Sequence, residues 1–238
     1  MTFNQLRSMP MFTRANYYDA MRQETGKSTA GELTYSINRA IAEKRIIHIG
    51  RNQYVYANDK RTYRHNYSEA ASKTASEIIK EYPSVDFRIF ELTELNTFVN
   101  HQLAHNTIFV FVENYLVDYV FDSLRRKHPG RVMLKPSVND YFRYLVDDMI
   151  VVLRLPSESP KGIVCPWNSR LETILVDVSV DKLLSRIVSR GEYRNIFETA
   201  FELYNIDKKA MFRYSNRRGA RSKFRNILEQ YAPFVLED

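Results

Sequence analysis

Residues 29–56 read TAGELTYSINRAIAEKRIIHIGRNQYVY, and within them the apolar period changes from that of a helix to that of a strand. Thr29-Ala30-Gly31-Glu32 fits a capping box, in which the Thr hydroxyl and the Glu carboxylate satisfy amides that a helix start leaves free. Leu33, Ile37, Ala40 and Ile41 then recur at helical spacing. At about 100° per residue these four share one face. Tyr35, Asn38 and Arg39 fall opposite, with Thr34 at the margin, so the outward face is polar, aromatic and cationic. After Lys44-Arg45 come Ile46-Ile47-His48-Ile49, a turn at Gly50-Arg51-Asn52, and Gln53-Tyr54-Val55-Tyr56, two short strands of a hairpin.

Upstream, Thr13 is placed as the N-cap of a helix running to about Gln23, with Tyr17, Ala20 and Met21 on one side. Glu24-Thr25-Gly26-Lys27 then makes a break. Helix, turn, helix and hairpin in that order predict a winged helix-turn-helix domain over residues 1–64. In such modules the second helix enters the major groove, where Asn bonds adenine and Arg bonds guanine edges, and a cationic wing tip follows the phosphates. The expected arrangement has Tyr35, Asn38 and Arg39 toward bases and Arg14, Lys27, Ser28, Arg51 and Asn52 toward the backbone. Thr13, Thr34 and Gln53 belong to the same DNA-binding set. Two blander readings stand beside it. Helix pairs with a basic outer face occur in proteins that never touch DNA, and winged helices also mediate protein contacts; Tyr35 alone suits a surface aromatic that packs on a neighbouring domain.

Charge agrees with the DNA reading. Residues 1–64 carry eleven Lys/Arg against five Asp/Glu, whereas residues 65–238 carry twenty-four against twenty-three, so six of the seven net positive charges lie in the first quarter. Such a surface attracts phosphate polyanions through counterion release. With 44% apolar and 13% aromatic residues, the 238-residue chain has ample material for two cores. Cys165 is the lone cysteine, which excludes an internal disulfide, and MTFNQLRSMPMFTR has no apolar core of a secretion signal, so a reducing cytoplasm is expected. No span approaches the roughly 20 apolar residues of a membrane helix, and no membrane partner is expected.

Residues from Asp59 to about Glu81 read as a connector with one helix, and a second domain, 65–238, follows. Apolar runs at Val85–Phe90, Thr107–Val112, Arg131–Lys135 and Met149–Leu155 suit buried strands. Helical patterns lie between them at Glu94–Leu103, Tyr115–Arg126 and Asn139–Val146. Their alternation predicts an α/β domain with a mostly parallel or mixed sheet, making the chain α+β overall. A C-terminal helical block of Ser169–Ser189, Tyr193–Tyr204 and Asp207–Tyr231 is expected to cover it.

No phosphate-binding glycine loop is present. His101 and His105 stand four apart on an expected helix, but Gln102 replaces the general-base Glu of a zincin, so two surface histidines are the reading, a structural zinc shared with Cys165 is the lesser alternative, and no metal or cofactor is assigned. Asp86, Glu91 and Glu113 flank the first two strands, where a metal-dependent nuclease keeps its carboxylates, but Tyr115 stands where such a site would have a lysine, and strand-end carboxylates that solvate a loop are the default reading. Asp177 and Asp181 lie four apart on a helix, with capping or a pair with Lys182 or Arg186 as the expectation. Between positions 208 and 225 stand Lys208, Lys209, Arg213, Arg217, Arg218, Arg221, Lys223 and Arg225 with no acid, split by Gly219 into two helices. Phe212, Tyr214 and Phe224 would anchor this segment and leave its cations exposed. That surface is open to three readings: a second DNA contact, a site for an acidic partner or RNA, or a solvated face.

The layout resembles the AbiEi-type antitoxins, the transcriptional-repressor half of bacterial type IV toxin–antitoxin systems involved in abortive infection. The resemblance rests on the leading winged helix ending in Gly50-Arg51-Asn52-Gln53-Tyr54-Val55-Tyr56, the α/β middle, and Arg170-Leu171-Glu172-Thr173-Ile174-Leu175-Val176-Asp177, which is similar to that family's ERTLVD-like stretch. Tyr193-Arg194-Asn195-Ile196-Phe197 and Phe212-Arg213-Tyr214-Ser215 resemble the helices that follow, while Asn168-Ser169-Arg170 stands where many members have Thr-Pro-Glu. The resemblance implies a non-enzymatic autorepressor that binds inverted repeats of double-stranded DNA in its own promoter. It also implies an antitoxin that counters a companion nucleotidyltransferase toxin without a stable complex, residues 65–238 being the antitoxin-like domain. The alternative is a metal-dependent nucleic-acid-processing enzyme that a winged helix delivers to its substrate.

Overall fold

The computed structural model describes residues 2–9, 11–43, 45–56 and 60–237. Met1 and Asp238, the ends of the two expected domains, and Lys44 and Asp59, two expected junctions, lie outside the described residues. Helix at about 52% and strand at about 14%, in two sheets with a C-terminal helical block, make the chain a mixed α/β protein. It divides into two compact units, Met1–Thr62 with Thr199–Asn205, and Tyr63–Glu198 with Ile206–Asp238. Reading by linear order alone assigns Thr199–Asn205 to the C-terminal block. They group with the first unit, where Arg61 donates its amide to the Leu203 carbonyl and accepts that of Asn205, each at 2.9 Å.

Unit 1 contains α1 (Phe3–Ser8), α2 (Arg14–Thr25), α3 (Ala30–Ala42) and the antiparallel strands β1 (Ile46–Gly50) and β2 (Gln53–Tyr56). Its helix starts are set by side chains. Thr13 and Asn16 form a reciprocal capping box on α2, and Thr29 and Glu32 form one on α3. Gly26, at φ +69°, takes the left-handed conformation that ends α2, which any side chain would disfavour. Tyr17, Ala20 and Met21 of α2 and Leu33, Ile37 and Ala40 of α3 bury their apolar stripe with Leu6, Phe12, Ile46 and Tyr54. Sequence periodicity does not reveal α1, since six residues are too few to establish a helical repeat.

Unit 2 is built on α4 (Glu69–Glu81), β3 (Phe87–Glu91), β4 (Thr107–Val112), α5 (Val117–Lys127), β5 (Val132–Leu134), α6 (Val138–Tyr144) and β6 (Met149–Arg154). The helices α7 (Leu171–Val180), α8 (Leu184–Ile187), α9 (Tyr193–Leu203, of which Thr199–Leu203 group with unit 1), α10 (Lys208–Arg217) and α11 (Arg221–Tyr231) follow. The sheet runs β3-β4-β6-β5, antiparallel at β3/β4 and parallel elsewhere. All six β4 residues are buried, as in a strand covered on both faces. Ile108, Val110 and Val112 join Ile150 and Val152 in a core with Ala71, Ala75 and Ile78 of α4 and Val117, Val120 and Leu124 of α5. The helix of the expected connector therefore supplies one wall of this core. On the opposite face of the sheet lies α7, with nearly every residue buried, as a helix apolar all round must be.

Three expectations are corrected. Glu94–Leu103 is a 3-10 turn at Leu92–Thr97 followed by irregular chain, where Asn96 Oδ1 accepts the Leu103 amide at 2.8 Å in place of a helical carbonyl. His101 and His105 therefore do not share a helix face. Ser169–Ser189 divides into α7 and α8, because Asp181 turns its carboxylate onto the amides of Leu183 and Leu184 at 2.9 and 3.2 Å.

Candidate nucleic-acid interface

α3 presents Thr34, Tyr35, Asn38 and Arg39 exposed on the side away from Leu33, Ile37 and Ala40. Tyr35 is 66% exposed, a large ring left in water with no core duty. Asn38 offers an amide with two donors and an acceptor, the group that makes bidentate contact with adenine. Thr34 shares a hydrogen bond with the Tyr18 hydroxyl at 3.1 Å. Arg39 is not idle: its Nε donates to Glu43 at 2.6 Å, and Glu43 is bridged again by Arg45 at 2.7 Å. These guanidinium contacts, that of Arg39 foremost, hold the Glu43 carboxyl below its usual range. All three side chains are well exposed, so solvent screens the pairs and leaves Arg39 able to exchange its partner.

The hairpin turn and the start of α2 converge. Asn52, at φ +58°, accepts the Arg14 amide at 3.0 Å through its side-chain oxygen, while the Arg14 guanidinium donates to the Tyr54 hydroxyl at 3.2 Å. The hydrogen bond to Tyr54 raises the Arg14 pKa further, so Arg14 is a permanent cation at a helix N-terminus. Arg51, Asn52 and Gln53 are exposed on this turn, and Lys27 and Ser28 are exposed on the α2–α3 turn. Thr13 is committed to its cap, with its amide and hydroxyl both turned to Asn16. The set thus offers donors and cations suited to phosphate oxygens and base edges.

The second basic cluster separates into two classes. Lys209, Arg213, Arg217, Arg221, Lys223 and Arg225 are exposed and Lys208 is half-buried. Arg218 is not part of an open surface: its side chain is 13% exposed and bonds Asp177 at 2.8 Å and Asp181 at 2.6 Å. Lys223 turns its ammonium back onto the Val180 carbonyl at 2.8 Å, and burial lowers its pKa. Tyr214 and Phe224 are the buried anchors of this segment.

Asp177 and Asp181 pair with neither Lys182 nor Arg186 in any of the ion pairs formed among the described residues. Asp177 is 1% exposed and accepts Arg88 Nη2 at 2.5 Å, the Tyr214 hydroxyl at 2.9 Å and Arg218. Arg88 and Arg218 thereby alternate with Asp177 and Asp181 along one buried network. The Arg88 guanidinium also lies 4.1 Å from the Phe111 ring centroid. Burial opposes its charge, but Asp177 and the Tyr214 hydroxyl together outweigh that and hold the pKa above its usual value. The available signal was a lone arginine inside the apolar run Val85–Phe90, since a charge in a buried strand needs a partner.

The three strand-flanking carboxylates also have structural duties. Glu91 is buried and accepts the Ser68 amide and the Asn106 side chain. Glu113 accepts the Asp86 amide at 3.0 Å, and Asp86 pairs with Lys161 at 3.4 Å. Among the described residues no group of three or more His, Cys, Asp or Glu is arranged to hold a metal ion. Likewise, none of the described helices is long and apolar enough to cross a membrane.

Two units, one carrying a cationic helix-and-hairpin face and the other a mixed sheet under a helical block, define the class of molecule. The chain belongs to a family of unknown function, DUF6577, whose model matches residues 32–233. That span takes in nearly all of α3, the hairpin and unit 2 up to the end of α11. No curated protein matches the chain.

Proposed function

We propose that unit 1 is a winged helix-turn-helix that binds duplex DNA sequence-specifically, and that the chain is a transcriptional repressor. One observation carries this reading: α3 exposes Tyr35, Asn38 and Arg39 together on the face opposite its core stripe. In the proposed complex α3 enters the major groove, and Asn38 and Arg39 bond base edges, Arg39 releasing Glu43 to do so. Arg14, Lys27, Ser28, Arg51 and Asn52 take phosphates, with the wing following the backbone. The resemblance to AbiEi-type antitoxins supports a narrower form: the DNA is an inverted repeat in the chain's own promoter, and the chain opposes a nucleotidyltransferase toxin.

The test is titration of the full chain into a labelled duplex of its own upstream region and into a scrambled duplex, across salt concentrations and in EDTA. Preference for the native duplex by roughly 10³ or more, with affinity falling steeply as salt rises, is expected. Equal binding to both duplexes, or binding that requires a divalent cation, would overturn it.

A further inference from the structure

α10 and α11 join through Arg218-Gly219-Ala220 and line a concavity of about 590 Å³. Lys208, Lys209, Arg213, Arg221 and Arg225 contribute five cations to its wall, and among the described residues no acidic side chain lines it. Spacing produces the alignment, because Lys209, Arg213 and Asn216 follow one stripe of α10 while Arg221 and Arg225 follow one of α11. Two of the five are already engaged: Lys208 donates to the Glu237 carbonyl at 2.7 Å and Arg225 pairs with Glu229 at 3.1 Å. Lys209, Arg213 and Arg221 are exposed and form no ion pair among the described residues. α11 begins at Arg221 with no side-chain cap and no acid in its first turn, which adds the positive end of a helix to the same wall.

The remaining wall is apolar. Phe212, whose ring stands edge-on to Phe224 at 5.9 Å between centroids, is joined by Val235 and Leu236. A charged surface alone would attract any polyanion. A concavity in the size range of small-molecule sites, with cations on one side and an aromatic wall on the other, suits a ligand that carries phosphates and a flat base. We infer that it binds a nucleotide, with the base against Phe212, Val235 and Leu236 and the phosphates on Lys209, Arg213 and Arg221. The nucleotide is either free or one unit of a single strand, since both present this chemistry. The site is independent of the duplex contacts proposed for unit 1.

Calorimetric titration of the full chain with ATP, inorganic tripolyphosphate and a single-stranded oligoribonucleotide, at about 0.15 M salt, tests the inference. ATP is expected to bind roughly tenfold or more tighter than tripolyphosphate, because only ATP has a base to place on the aromatic wall. Arg213→Glu and Lys209→Glu, both at exposed positions, should each abolish that binding while the thermal midpoint stays in place. Phe212→Leu should weaken ATP and leave tripolyphosphate unchanged. Arg39→Ala should leave all three ligands unaffected, which separates this site from the proposed duplex site. An oligoribonucleotide that displaces ATP and binds more tightly assigns the site to a strand; ATP binding without displacement assigns it to a free nucleotide. Equal affinity for ATP and tripolyphosphate, retention of ATP binding in Arg213→Glu, or no binding by any probe would overturn the inference.

Discussion

The side-chain oxygen of Asn52 accepts the backbone amide of Arg14 at 3.0 Å, so the tip of the hairpin is tied to the first turn of a helix 38 positions earlier. This bond satisfies one of the donors a helix start leaves free, and it fixes two residues of the proposed backbone contact together. Asn52 also occupies a left-handed backbone position that Asn and Gly tolerate better than other residues. Asn52→Ala should therefore lower stability by about 1–2 kcal/mol, combining the lost bond with the strained backbone. Asn52→Gly should cost less, since it loses only the bond. Thermal unfolding of the three proteins checks this, and equal losses for Ala and Gly would remove the conformational half of the account.

Asp177 holds two guanidinium groups, Arg88 and Arg218, in a buried network. Removing it leaves the buried Arg88 without its carboxylate partner, while Arg218 keeps only Asp181. Asp177→Ala should lower the unfolding free energy by about 3–5 kcal/mol, and Asp177→Asn by less because an acceptor oxygen remains. Denaturant titration measures it. A loss below about 1 kcal/mol would mean that the network relaxes or hydrates freely.

Glu81 gives a pH-dependent prediction. Lys127 and Ser123 bond its carboxylate at 2.6 and 2.5 Å and, Lys127 foremost, pull its pKa from 4.5 to about 2 in the folded state. Between those values the unfolded chain binds the proton and the folded chain does not. The stabilisation is therefore complete above pH 4.5, shrinks as pH falls and is gone below about 2. Glu81→Gln should accordingly flatten the acid limb of the stability profile between those pH values, and superimposable limbs for the two proteins would contradict the assignment.

The elements that local chemistry specifies were legible in the sequence. Thr13, Thr29 and Glu32 announce their caps, and Thr107–Val112 is a strand to the residue because its apolar run is bounded by polar chain. What depends on distant partners was not. The 3-10 turn at Leu92–Thr97 replaces a helix where Asn96 and Glu94 bond elsewhere in the fold, and Arg88 finds Asp177 across 89 positions that no periodicity links. In the candidate interface, the exposure of Tyr35, Asn38 and Arg39 follows from a helical wheel. The Arg39–Glu43–Arg45 bridge and the Arg14–Asn52 bond depend on side-chain direction and on the hairpin folding back to α2, which no helical wheel encodes. The inward turns of Arg218 and Lys223 were hidden for the same reason: a run of cations states composition, not direction.

The most direct measurement compares Arg39→Ala with Arg51→Ala on the native upstream duplex and its scrambled counterpart. If α3 reads bases and the hairpin turn holds phosphates, Arg39→Ala erodes the preference for the native duplex by about ten- to a hundredfold, while Arg51→Ala weakens both duplexes alike and lowers the salt slope by about one. Equal weakening of both duplexes by Arg39→Ala, or no effect from either substitution, would contradict the account and leave the cationic face of unit 1 without a duplex to read.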